Sequence, residues 1–216
     1  MPSEFIPLAE ETGLIAPIGA WVVEAARAQI ATWRAQGLPD FGLSINLSAR
    51  RPRDESLIAT VRASLARHEV GHGGLEFELT ESMLMHRSAL NRRQLHALRG
   101  LGVSLSIDDF GTGHSSLAYL NRFPIDKLKL DRSFVHDMLE DPADCAITRA
   151  ITLAIIRLGH TLGLRVVAEG VELPRQAALL REAHCDEFQG LLFGHPMPSA
   201  DFSSWVAVRG AAALPA

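Results

Sequence analysis

The strongest constraint on this chain is the way two spacings take turns along it. Short stretches with alternating apolar and polar residues are separated by longer stretches with helical spacing. Short strand-like stretches at 43–47, 75–80, 103–108, 126–130, 164–169 and 186–189, the first four with alternating residues, predict six strands. Helical spacing predicts helices at 15–36, 55–69, 90–100, 115–122, 145–162 and 174–183, and a last helix starting near Ser199. In the 15–36 helix, Ile18, Trp21, Val22 and Ala25 are expected to share the inward face, with Glu24, Arg27 and Arg34 opposite. Gly100, Gly102 and Gly163 fall between helix and strand, where a helix stop favours positive φ. A βα series implies parallel pairing with right-handed crossovers. Strands of an open, doubly wound sheet read as continuous apolar runs, because helices cover both faces. These strands alternate instead. Leu75, Phe77 and Leu79 oppose Glu76, Glu78 and Thr80, and Leu105 and Ile107 oppose Ser106 and Asp108. Leu128 and Leu130 oppose Lys127, Lys129 and Asp131. The pattern therefore favours an α/β barrel of the (β/α)8 type with a polar interior. Six of the eight strands such a barrel needs are readable here.

The polar residues gather where parallel α/β folds place their sites. Asn46, Glu78, Asp108, Lys129, Glu169 and Gln189 each end a strand. An internal echo sets two of the acids at a similar height. Leu101-Gly102 leads to Asp108 after six residues, and Leu162-Gly163 leads to Glu169 after six. Glu78, Asp108, Asp109 and Glu169 at one mouth would repel one another if unpaired. With the neutral oxygen of Asn46 they form a hard-oxygen set suited to Mg2+ or Mn2+. The nine histidines show no zinc-binding spacing. The segment from Asp108 through Asp109-Phe110-Gly111-Thr112-Gly113 turns into a helix that Ser115 or Ser116 is expected to cap. An alternative is an anion nest at that helix start, but the lysine of a nucleotide-triphosphate loop is missing.

Composition excludes several classes. The net charge of −4 gives no reason to expect a nucleic-acid polymer as partner. Nineteen of the 21 basic side chains are arginine, and Lys127 and Lys129 are the only lysines. No apolar run is long enough to span a bilayer, and no signal peptide opens the chain, so a cytoplasmic location is expected. Cys145 and Cys185 have no metal or redox spacing and read as reduced thiols. One domain over residues 1–208 with a frayed tail over 209–216 is expected.

Seven motifs in order resemble one family. They are Phe5-Ile6-Pro7-Leu8-Ala9-Glu10, Asn46-Leu47-Ser48, Glu78-Leu79-Thr80-Glu81-Ser82, the Asp108–Gly113 segment, Lys129-Leu130-Asp131-Arg132-Ser133-Phe134, Ala168-Glu169-Gly170-Val171-Glu172 and Gln189-Gly190. The chain resembles the EAL-domain family of bacterial cyclic di-GMP phosphodiesterases. The resemblance implies hydrolysis of cyclic di-GMP to linear pGpG, in second-messenger signalling, with two Mg2+ or Mn2+ ions. It implies Asn46, Glu78 and Asp108 as metal ligands, with Asp109 on the second ion. Glu169 would stand near the attacking water as ligand or base, and Lys129 would touch water or phosphate. Glu81 matches the glutamate that steadies the loop after Asp109, and the loop 109–117 matches one used in homodimer contacts. Asp131, Gln189 and Glu172 match supporting or substrate-side polar positions.

There are also departures. His114 and Leu191 stand where family members usually carry tyrosine. The family's Glu-Ala-Leu strand supplies a metal-binding glutamate and an arginine for the substrate phosphate, and neither matches a residue here. Glu10 and Glu11 lie past that position. The expectation is an incomplete, upstream-truncated barrel with weakened activity. The alternatives are an inactive EAL remnant that binds cyclic di-GMP or a protein partner, and an unrelated metal-dependent barrel lyase or hydrolase.

Overall fold

The computed structural model describes residues 2–48, 55–68, 74–85, 89–112, 120, 122–139 and 142–210. Most of the expected helix at 115–122, its serine caps, His114 and most of the loop 109–117 lie outside the described residues, as do residues 211–216.

The six expected strands are present. They are β1 (Leu43–Asn46), β2 (Leu75–Thr80), β3 (Ser104–Phe110), β4 (Lys127–Leu130), β5 (Arg165–Ala168) and β6 (Glu187–Phe188). They pair in sequence order, each parallel to the next. Strand order without a switch point is a barrel's order, and the sheet curls into an incomplete barrel. Among the described residues β1 pairs only with β2 and β6 only with β5, so the sheet is open between them.

The alternation positions both faces. Phe77, Leu105, Ile107, Leu128, Leu130 and Val166 point outward and are fully buried under helices. Each such side chain contributes about 1.5–3 kcal/mol by leaving water. The covering helices are α2 (Ile15–Ala35), α3 (Glu55–Arg67), α5 (Ala89–Gly100), α7 (Pro142–Thr161) and α8 (Pro174–Glu182). Two helix stops repeat the sequence echo. Gly102 and Gly163 both have positive φ, at 83° and 73°, and their N–H groups donate to Arg99 and His160.

Four helices were not expected or extend further than expected. α1 (Pro2–Thr12) forms despite Pro7 within it, and the short α4 (Glu81–Met85) and α6 (Arg132–Asp137) follow β2 and β4 directly. The last helix, α9 (Ser199–Gly210), starts where predicted and runs two residues past 208. It returns to α2, where Trp33, Phe41 and Phe202 form an aromatic cluster with ring centroids 4.8–6.1 Å apart. The helices flanking the two ends of the sheet thus meet.

The inward face expected for α2 is corrected. Trp21 is 71% exposed, whereas Arg27 is 1% exposed among Val23, Ile30 and Trp33. Helix α3 sets the orientation. Glu24 holds Arg67 at 2.8 Å and His68 at 2.9 Å, and Arg27 donates to the His68 carbonyl at 3.3 Å. A long arginine stem can bury its methylenes once its head finds a carbonyl, which hydrophobicity alone does not reveal.

No single helix among the described residues is long and apolar enough to cross a membrane.

Candidate active site

The polar faces of the strands build the interior in two tiers. At the lower tier, Lys127 Nζ lies 3.0 Å from Glu76 on β2 and 2.8 Å from Glu187 on β6. Arg165 also holds Glu187, at 2.8 Å. A lysine on β4 that reaches strands on both sides requires a strongly curled sheet.

The upper tier lies at the carboxyl ends of the strands. Lys129 Nζ stands 2.7 Å from Glu78, 3.1 Å from Asp108 and 2.5 Å from Glu169. Lys129 is 4% exposed. Burial pulls its pKa down, but hydrogen bonds with Glu169 and Glu78 outweigh this and hold the ammonium above the ordinary lysine range. The contact with Asp108 is different in kind. Asp108 Oδ1 is buried and makes no hydrogen bond, so it feels the ammonium's charge alone.

Asp109 joins this tier through a backbone distortion. Its φ is 54°, a left-handed conformation uncommon for residues with a side chain, and the β3–β4 register shifts between Ile107 and Phe110. The distortion lets adjacent aspartates serve one mouth, and carboxylate oxygens of Asp108, Asp109 and Glu169 lie within 4.8 Å of one another. Two residues on, Gly111 has φ 100°, and a Cβ there would meet the Phe134 ring at 2.7 Å. Only glycine lets the loop descend onto α6 and α7 at this point.

Three carboxylates meet one ammonium with Asp109 beside them, and the imbalance shows in the acidities of Glu169 and Asp109. Burial pushes Glu169 upward against the pull of Lys129, and the charges of Asp108 and Glu78 push it further. Burial, then Asp108 and Asp131, push Asp109 upward. A crowded, anionic, all-oxygen mouth of this kind fits a hard divalent cation.

The remaining expected residues are placed less centrally. Asn46 is in register with Glu78, on the exposed edge strand β1. Glu81 is buried, and its Oε2 has no hydrogen-bond partner. Asp131 caps α6, accepting from the Ser133 N–H at 3.0 Å. The exposed Gln189 follows β6, and its backbone bridges Ala168 and Val171. The exposed Glu172 donates its N–H to Gln176 Oε1. Glu10 is engaged by the Ser48 hydroxyl.

Sequence reasoning missed two supports. Glu76 and Lys127 were legible as inward-facing polar residues, but not their joining with Glu187 into one lower tier. Gln176, buried on α8, accepts from the N–H groups of Glu172 and Leu173 at 2.8 Å and donates to the Val135 carbonyl at 3.1 Å. It fixes the loop that follows Glu169. Proline at the helix start with glutamine two residues on was the available signal.

Fold and site together define an incomplete parallel α/β barrel with a lysine-bridged carboxylate mouth. The EAL domain family model matches residues 1–196, and the chain belongs to that family. The signaling protein YkoW of Bacillus subtilis is 44% identical over 205 residues, 95% of this chain and 25% of its own length. The bifunctional diguanylate cyclase/cyclic di-GMP phosphodiesterase MucR of Pseudomonas aeruginosa is 43% identical over 206 residues, 95% of this chain and 30% of its own. The chain thus spans less than a third of the length of these relatives. Among solved structures, the MucR phosphodiesterase in complex with c-di-GMP is similar at TM-score 0.85 and 42% identity, over 94% of this chain and 80% of that one. The EAL domain of Mycobacterium smegmatis DcpA is similar at TM-score 0.81 and 35% identity, over 90% of this chain and 86% of that one.

Proposed function

We propose that this chain carries a metal-dependent cyclic di-GMP phosphodiesterase site that hydrolyses its substrate to linear pGpG. The carrying observation is the upper tier, where Glu78, Asp108 and Glu169 meet Lys129 and Asp109 converges with Asp108 and Glu169 at the sheet's carboxyl end. The name and bound ligand of the MucR relative support the substrate class. Asn46, Glu78, Asp108, Asp109 and Glu169 would hold Mg2+ or Mn2+. Bound there, a pair of such ions lowers the pKa of water and offsets charge on the attacking and leaving oxygens.

The chain's own residues supply the rest. Glu169, with its raised pKa and a polar mouth in front of it, accepts the proton from the attacking water. Lys129 keeps its charge and faces the phosphoryl oxygens as their charge grows. Glu81 and the Gly111 contact with α6 position the loop that carries Asp109. Asn46 orients groups at the open edge, where solvent reaches the site, and turnover is expected to be low while that flank stays open.

The test is hydrolysis of cyclic di-GMP by the purified chain with Mn2+, read as pGpG formed. Glu169→Ala is expected to lower turnover by at least about a thousandfold, in line with loss of a general base. Unchanged hydrolysis by that variant refutes the role of Glu169. Tight binding of cyclic di-GMP without any turnover would favour the second reading, a ligand-binding EAL domain, which the open flank beside β1 suggests.

A further inference from the structure

Two sets of oxygens overlap at the mouth. Glu78, Asp108 and Glu169 face the ammonium of Lys129. Asp108, Asp109 and Glu169 converge on one another. Asp108 and Glu169 belong to both sets. The three carboxylates around Lys129 come from β2, from β3 and from the end of β5, so they would drive three separate strands apart if no cation stood among them. A second cation drawn to the convergent set must therefore compete with Lys129 for Asp108 and Glu169.

We infer that Lys129 is a resident stand-in cation, which holds the mouth assembled when no metal is bound and yields carboxylates on metal binding. This inference rests on the metal-dependent reading above. The order of release follows from the contacts. Asp108 leaves first, because its oxygen lies farthest from Nζ and makes no hydrogen bond. Glu169, held at 2.5 Å, leaves later or keeps one oxygen on each cation. Glu78, outside the convergent set, gives up its 2.7 Å contact with Lys129 last. Metal affinity at this site is consequently set against an internal competitor two strands wide, and Lys129 acts as a specificity-determining residue before any substrate arrives. A cation too weakly charged to outcompete an ammonium for two carboxylates does not displace it.

Lys129→Met keeps an unbranched side chain one atom shorter and removes its charge. Mn2+ binding to the full chain is followed by electron paramagnetic resonance of free Mn2+, with thermal unfolding measured beside it. The variant is expected to unfold at a lower temperature than wild type without metal. It is expected to bind Mn2+ at least about tenfold more tightly, as removal of a contacting positive charge predicts. It is also expected to gain more in unfolding temperature at saturating Mn2+. Mn2+ binding that is equal or weaker in the folded variant overturns the inference.

If the variant does not fold, wild type can be read directly. Only two lysines occur in the chain, so lysine labelled with nitrogen-15 gives two ammonium signals, and Lys127→Arg assigns them. Mg2+ is expected to shift the Lys129 signal and hasten its hydrogen exchange while leaving that of Lys127 in place. Calorimetric Mg2+ binding with an unmoved Lys129 signal overturns the inference and leaves the metal site standing. No binding of Mn2+ or Mg2+ by any form overturns both.

Discussion

Lys127 and Lys129 lie two residues apart on β4, face the same interior and are each met by carboxylates from other strands. Their surroundings differ in one respect. Lys127 has two carboxylates, Glu76 and Glu187, and Glu187 has a second cation in Arg165. Charge is balanced there, with two cations to two anions. Lys129 alone meets Glu78, Asp108 and Glu169, with Asp109 beside them. The lower tier is satisfied and the upper tier is left short of positive charge. A balanced buried network gives the barrel its shape, and an unbalanced one creates a demand for ligands. The same residue type on the same strand thus does two jobs, and the count of neighbouring carboxylates separates them.

The comparison can be broken most sharply by turnover. Lys129→Met is expected to lower cyclic di-GMP hydrolysis by about a hundred- to a thousandfold, typical of losing one group that faces developing charge. Lys127→Met, which touches nothing at the mouth, is expected to leave turnover of the folded fraction within about twofold. A large loss of turnover in folded Lys127→Met would erase the distinction between the tiers.

Stability sharpens the comparison next. Lys127→Met strands Glu76 in the interior and is expected to cost about 3–5 kcal/mol in denaturant unfolding, the usual range for removing one member of a buried pair. Replacing Lys127, Glu76 and Glu187 together by methionine or leucine is expected to recover most of that loss, since a whole buried ion network is often replaceable by apolar side chains. Failure of the triple variant to recover would mean that the lower tier contributes more than balanced charge.

The smallest effect lies below both tiers, at Asp186. This carboxylate accepts from the Val166 N–H at 2.7 Å and from His160 at 2.9 Å. Burial raises its pKa, but the Val166 hydrogen bond and His160 more than offset this, and the folded value lies below the ordinary one. The stability it adds is present above the unfolded value of about pH 3.9 and is lost as pH falls through the folded value. Asp186→Asn is expected to flatten the acid limb of stability slightly, read as unfolding temperature against pH. An unchanged limb would remove Asp186 from the account.

Much of this was readable before any coordinates. Alternation marked four of the six strands, at 43–47, 75–80, 103–108 and 126–130, because inward polar and outward apolar positions are a local, period-two property. The strand-end rule then brought Glu78, Asp108, Lys129 and Glu169 to one mouth. What escaped depends on distances between elements. The inward face of α2 is set by Glu24 and Arg27 reaching α3, so Trp21, which helical spacing alone turns inward, is exposed. The tie from Lys127 to both Glu76 and Glu187 needs the curl of the sheet, which no strand encodes by itself. Strand β3 runs past Asp108 to Phe110 across a register shift at which Asp109 adopts a left-handed conformation, and spacing carries no trace of that. Asp131 read as a partner near Lys129, but its side chain is engaged as the cap of α6.

The confinement of both lysines to one central strand also has a practical side. A protease that cuts only after lysine finds its two sites at Lys127 and Lys129, inside the barrel, while all nineteen other long cations are arginine and invisible to it. Cleavage by such an enzyme would time the opening of β4 and nothing else.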